Sequence, residues 1–299
     1  MQSDPAADKA SRQAAHALCE QVKAHDGVAF DIAGKLFNQG EHNTARHFGL
    51  GLYEHLITNR WLFLSLESKA QMKEVVMQLV SQWPVDDSAA AFLKHKAVQV
   101  VALTAKREWP HQWPTLTTVL IGAVREGRSE ASVLGALRCL AMICRDLDEA
   151  QVPLVVPSLL PELHSLVAPD SVSRAVKRRA LAVLHSCLLA LGMMSGARQR
   201  ATRDLLAPEL PRFLDAFATV LSEVPDAADP DACGTTLETL RCVTQVAQYF
   251  AKPAGEALMR PLGCAASLFH RLAERYRALF VAHGADPDAR VEYLAAGPA

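Results

Sequence analysis

From Lys9 to Ala282 the chain repeats one device. An amphipathic stretch, with apolar positions every three to four residues, runs for roughly 15–25 residues and is closed by a short Pro, Gly or Asp signal. Such stretches bury their apolar stripes only by packing helix on helix. Turn-rich alternating patterns of the kind that build sheets are scarce, and aromatics are 6% of residues. The spacing predicts helices over Lys9–Ala24, Val28–Phe37, Glu41–Asn59, a stretch from a Ser65–Ser68 cap to Gln82, and Asp87–Arg107. It continues with Thr115–Arg125, Glu130–Arg145, a helix started by Pro153, Pro157 and Pro161 and ending near Val167, and Val172–Leu191. The last are Gln199–Ser222, Thr235–Phe250 after a Pro225–Asp231 loop, and Gly255–Ala282.

A pair of such helices takes about 50 residues, close to the period of HEAT and armadillo repeats. A globular bundle would share that rhythm. Breadth favours the array: Val98–Leu103 and Leu137–Ile143 are apolar nearly all round, as expected of helices flanked on both sides. The expected fold class is therefore all-α, an α-solenoid of HEAT or armadillo-like repeats. The expected division is 9–108, 109–282 and a frayed tail over 283–299. The array starts abruptly at Lys9, so a piece of a longer array is expected.

Half of the 299 residues are hydrophobic and the formal charge is −1, which makes no general electrostatic case for nucleic acid or membrane. No apolar run approaches the ~20 residues of a membrane span. Met1–Lys9 lacks an apolar signal core. Seven scattered cysteines without a CxxC read as reduced, mostly buried thiols. His42, His47 and His55 lack the four-residue spacing of a helical metal pair. Neither a phosphate-binding glycine loop nor a nucleophile elbow is present, so no enzyme, cofactor or metal is expected.

The least common stretch is Glu108-Trp109-Pro110-His111-Gln112-Trp113-Pro114. Pro110 ends a helix, because proline lacks a donor and biases its predecessor out of the helical region. Pro114 fits the first turn of the next helix, and Trp109 and Trp113 are placed to clamp the corner. With Lys106 and Arg107 before it, this corner resembles the signature of β-karyopherins, the importins and exportins. Ala45–Ile57 with Arg60-Trp61 is similar to the exportin-five type. Gly135–Ala141, Val152–Pro161, Gly192–Gly196 and Leu237–Cys242 are similar to the importin-nine type.

That resemblance implies a nuclear transport receptor, or an N-terminal fragment of one. It would shuttle between nucleus and cytoplasm and bind the GTP form of the small GTPase Ran. Protein cargo or RNA cargo, and nuclear pore proteins, are the other implied partners. On the helices expected to face Ran, the candidates are Arg46, Glu54, Asn59, Lys94 and Lys106. Arg174, Lys177 and Arg178, with Arg179, form a basic cluster suited to acidic cargo or phosphate; a solvated helix start is its plainer reading. The family's acidic run is missing, and the alternative is a helical-repeat interaction scaffold without transport activity.

Overall fold

The computed structural model describes residues 5–40, 42–81, 91–168, 172–194 and 197–283. Among the described residues every regular element is helical. The chain divides into two compact units, Met1–Leu116 and Thr117–Ala299.

Unit 1 carries α1 (Pro5–Ala24), α2 (Asp26–Gln39), α3 (Asn43–His55), α4 (Leu66–Ser81) and α5 (Ala91–Glu108). Each helix packs on a neighbour: α1 on α2, α2 on α3, and both α3 and α4 on α5. The helix expected over Glu41–Asn59 is shorter. After His55 the backbone passes into a π-helical turn, Leu56–Arg60, and a 3-10 turn, Trp61–Phe63. These turns rotate Leu56, Ile57 and Trp61 into the core while Leu62 and Phe63 face out. The Ser65–Ser68 cap forms as expected, with Ser65 Oγ accepting from Ser68 N at 3.0 Å. Expected helical residues 41, 82 and 87–90 lie outside the described residues.

Unit 2 contains nearly all of α6 (Leu116–Glu126), then α7 (Glu130–Arg145), α8 (Val152–Val167), α9 (Arg174–Gly192), α10 (Ala197–Leu206) and α11 (Leu210–Ser222). It closes with α12 (Pro230–Tyr249), the short α13 (Ala251–Ala254) and α14 (Met259–His283). Helices α7, α9 and α12 lie side by side in one layer; α8, α11 and α14 form the other. The pairs α8/α9 and α11/α12 tie the layers together. This stacking of helix pairs on neighbouring pairs is the all-α, α-solenoid fold class.

The centre of unit 2 is α9, held between α7 and α12. Its buried positions, from Val176 through Leu181, Leu184 and Leu188 to Leu191, surround the helix, and even Ser186 is inside. Burying the large apolar side chains contributes about 1.5–3 kcal/mol each relative to exposure. Local signals set the helix ends. Ser129 Oγ accepts from Ser132 N (3.2 Å) to open α7. The Asp229 carboxylate accepts from Asp231 N (2.9 Å) and Ala232 N (3.1 Å) to open α12.

Further expected boundaries change, among them that of the helix expected from Gly255, which opens with a 3-10 turn over Gly255–Leu258. Gln199–Ser222 is two helices, because Pro208 and Pro211 remove donors where a continuous helix would need them. The helix expected from Thr235 starts at Pro230, which sits at the first helical position behind the Asp229 cap. Pro157 and Pro161 lie within α8 and do not mark its start. Together with Pro153 they occupy one solvent-facing stripe at four-residue spacing, so the carbonyls they leave unpaired face water. The 169–171 stop and the 284–299 stretch of the expected tail lie outside the described residues. No helix among the described residues is long and apolar enough to cross a membrane.

Candidate functional site

The Trp-Pro corner is organised by Glu108, the last residue of α5. One carboxylate oxygen accepts from Trp61 Nε1 at 3.0 Å, and the other pairs with Lys73 Nζ of α4 at 3.1 Å. The Glu108 carbonyl accepts from the amides of Gln112 (2.6 Å) and Trp113 (3.1 Å), so the chain reverses around it. Lys73 also donates to the Gln112 carbonyl at 3.2 Å. Trp109 and Trp113 are both buried, and the Trp109–Pro110 peptide is cis. Pro114 is not in the first turn of α6. It stands exposed before it, and the helix is launched by Leu116 N donating to the Trp113 carbonyl at 3.2 Å. The corner carries no reactive group; it is a joint.

The five residues proposed for Ran do not share one face. Arg46 donates through Nε to the Gly40 carbonyl at 3.0 Å, closing the α2–α3 turn. Glu54 pairs with Lys96 and accepts from Gln99 Nε2 at 2.8 Å, tying α3 to α5. Asn59 lies in the π-helical turn, its Nδ2 3.1 Å from His55 Nδ1. Lys94 is half-buried and Lys106 exposed, twelve residues apart on α5 and hence about 120° apart around its axis. Arg46 and Glu54 therefore already hold helices together.

The basic cluster at the start of α9 is largely compensated. Arg174 Nη1 meets Asp229 at 2.7 Å and Arg178 Nη1 meets Asp231 at 3.2 Å, both from the start of α12. The hydrogen bond to Arg174 holds the Asp229 carboxyl below its ordinary range, and Asp229 in turn raises the guanidinium. Gly234 admits Arg178: a Cβ there would lie 2.3 Å from Nε and 2.6 Å from the guanidinium carbon. Burial, then the charge of Arg138, pushes Arg179 down. Half-buried Lys177 and Arg174 line a cleft of about 320 Å³ whose other charges are Glu223 and Asp226. A mixed cleft of this kind repels a polyphosphate from one wall while attracting it from the other.

No group of three His, Cys, Asp or Glu that could hold a metal occurs among the described residues. The His47 ring faces Phe92 at 5.4 Å between centroids. All seven cysteines are free thiols, and burial pushes Cys139 up to about 12. Sequence reasoning missed three features. Glu108 reads as one more helix-end carboxylate until Trp61 and Lys73 are brought to it. Leu62, Phe63 and Leu66 are 84%, 71% and 84% exposed, although their apolarity suggests core. A groove between α2 and α4, floored by Tyr53, draws on residues forty apart.

No family model matches the sequence. Part of the chain is similar to exportins. It is 27% identical to Exportin-5 of Mus musculus over 132 residues, which is 44% of this chain and 11% of that protein. The human Exportin-5 is 26% identical over the same shares. Exportin-1 of Schizosaccharomyces pombe is 24% identical over 124 residues, 40% of this chain and 11% of that one. The aligned part thus spans about a tenth of these relatives' length. Among solved structures, the exportin Cse1 in its cargo-free, cytoplasmic state matches with a TM-score of 0.61 at 14% identity, over 83% of this chain and 29% of that one. The likeness to that exportin is one of fold.

Proposed function

We propose that this chain is a nuclear transport receptor, or the N-terminal part of one, that binds Ran-GTP and cargo without covalent chemistry and shuttles between nucleus and cytoplasm. One observation carries the reading: a helix-pair stack with the fold of a cargo-free exportin occurs in a chain that also aligns with exportins over 132 residues. Ran is proposed to contact unit 1 through Arg46, Glu54, Asn59, Lys94 and Lys106. Cargo is proposed to contact unit 2 near Arg174, Lys177 and Arg178, and nuclear pore proteins are the remaining partners. Arg174 and Arg178 are paired to aspartates, which supports protein cargo over RNA, because few cations are left for phosphates. Linkage makes the effect of Ran on cargo affinity equal to that of cargo on Ran affinity. In export the two bind together; in import, as the importin-nine-like stretches of unit 2 suggest, Ran-GTP expels a basic protein.

Capture of the purified chain on Ran loaded with GTP or GDP tests this. Retention at least tenfold stronger with GTP is expected. Equal retention, or none by a chain whose helicity is intact, overturns it. The internal pairing of Arg46 and Glu54 favours that second outcome's reading, a helical-repeat scaffold without transport activity.

A further inference from the structure

The groove between α2 and α4 takes no part in the sites above. Each wall is one helix face. Asp31, Lys35 and Asn38 follow at spacings of four and three on α2; Gln71, Glu74 and Gln78 follow at three and four on α4. The floor is Tyr53 of α3, 1% exposed. Gly34 leaves space for its hydroxyl, since a Cβ there would sit 3.2 Å from Tyr53 Oη. Phe30 meets the Tyr53 ring edge-on, with centroids 5.7 Å apart, and fixes its position. The groove is open to solvent and offers about 470 Å³, within the size range of ligand sites.

The chemistry of the walls selects the class of ligand. Asp31 and Glu74 outnumber Lys35, which disfavours phosphate. An apolar molecule would meet Phe30, Val75 and the Tyr53 ring but would leave the polar walls unpaired. The recurring group is the carboxamide, at Asn38, Gln39, Gln71 and Gln78. Those of Asn38, Gln39 and Gln71 each offer two donors and a carbonyl oxygen, the complement of a peptide unit with one donor and one acceptor. Seven residues of helix make a wall about 10 Å long, which matches three residues of extended chain at about 3.3 Å each.

We propose that this groove binds an extended, neutral-to-basic polypeptide segment, about three residues of which pair their backbone amides with the wall carboxamides while one carbonyl accepts from Tyr53. Burial, then the Asp31 carboxylate, pushes the phenol up to about 12, so the hydroxyl stays a neutral donor at physiological pH. The assignment stands on the groove alone and does not require transport activity, so Ran capture and peptide binding succeed or fail separately.

A phage-displayed library of random dodecapeptides, selected against the whole chain, supplies the probe; recovered sequences are synthesised with blocked ends. The double variant Asn38→Ala, Gln71→Ala is expected to weaken their binding tenfold or more. Gln248→Ala on α12 is expected to leave it unchanged. N-methylating the central peptide amides is expected to abolish binding, because it removes backbone donors and spares the side chains. Asn38 and Gln71 are exposed, so the double variant should keep the wild-type melting temperature, whereas Tyr53→Phe tests the hydroxyl at some risk to the core. Three results would each overturn the assignment: no recovered binder, equal binding by the double variant, or unchanged binding of the N-methylated peptides.

Discussion

At Glu108 one side chain and one carbonyl serve four donors, from Trp61, Lys73, Gln112 and Trp113. Its side chain is 9% exposed and that of Lys73 is 20%, so removing one partner strands the other in a poorly hydrated place. Glu108→Ala is expected to destabilise unit 1 by about 3–5 kcal/mol, the usual cost of breaking a buried pair. Glu108→Gln, which keeps an acceptor for Trp61, should cost less. All four tryptophans precede Leu116, so urea unfolding followed by tryptophan fluorescence reads this unit specifically. Asp229 gives a pH prediction. Its folded value lies below its ordinary 3.8 because Arg174 and two amides favour the carboxylate. The stabilisation is therefore complete above the unfolded value and fades as pH falls below about 4 through the folded one. Asp229→Asn should flatten the acid limb of a circular-dichroism titration; an unchanged limb would show that the pair contributes nothing.

Helix ends and turns obey a different economy, in which single hydrogen bonds decide where an element starts. Ser129→Ala removes the acceptor for Ser132 N and is expected to cost about 1 kcal/mol, read as a lower thermal midpoint by circular dichroism. The turn from Leu56 to Phe63 behaves in the opposite sense. Leu62 and Phe63 project outward, Phe63 beneath the Arg60 guanidinium at 4.8 Å, while Trp61 and Leu64 face the core. Leu62→Ser with Phe63→Ser should therefore shift stability by no more than about 0.5 kcal/mol per site, whereas Trp61→Ala should cost several. Comparing the two melts checks the orientation of the turn.

For the whole molecule, the proposed Ran surface divides by how each side chain is engaged. Lys106→Glu reverses a charge at the exposed end of α5 and is expected to weaken GTP-dependent capture more than it lowers the melting temperature. Arg46→Ala and Glu54→Ala also remove the α2–α3 and α3–α5 ties, so they should lower both. If Lys106→Glu leaves capture unchanged, Ran binding lies elsewhere.

Helix positions, the Ser65 cap, the tryptophan corner and the all-α class were legible in the sequence, because apolar period, capping hydroxyls and prolines act within a few residues. The π-helical turn after His55 and the starts of α11 and α12 were less so, since packing and competing proline signals decide them. The candidate sites were least legible of all. Arg174 and Arg178 look like an open basic patch in the sequence, yet aspartates more than fifty residues away neutralise them. Local chemistry determined where most of the helices run and which of their faces seek burial. Only the tertiary structure decided which charges are used up in packing, made Glu108 a hub, and set carboxamides from α2 and α4 across one groove. Ion pairing and groove shape depend on distances between residues far apart in the chain, and those distances exist only once the helices have packed.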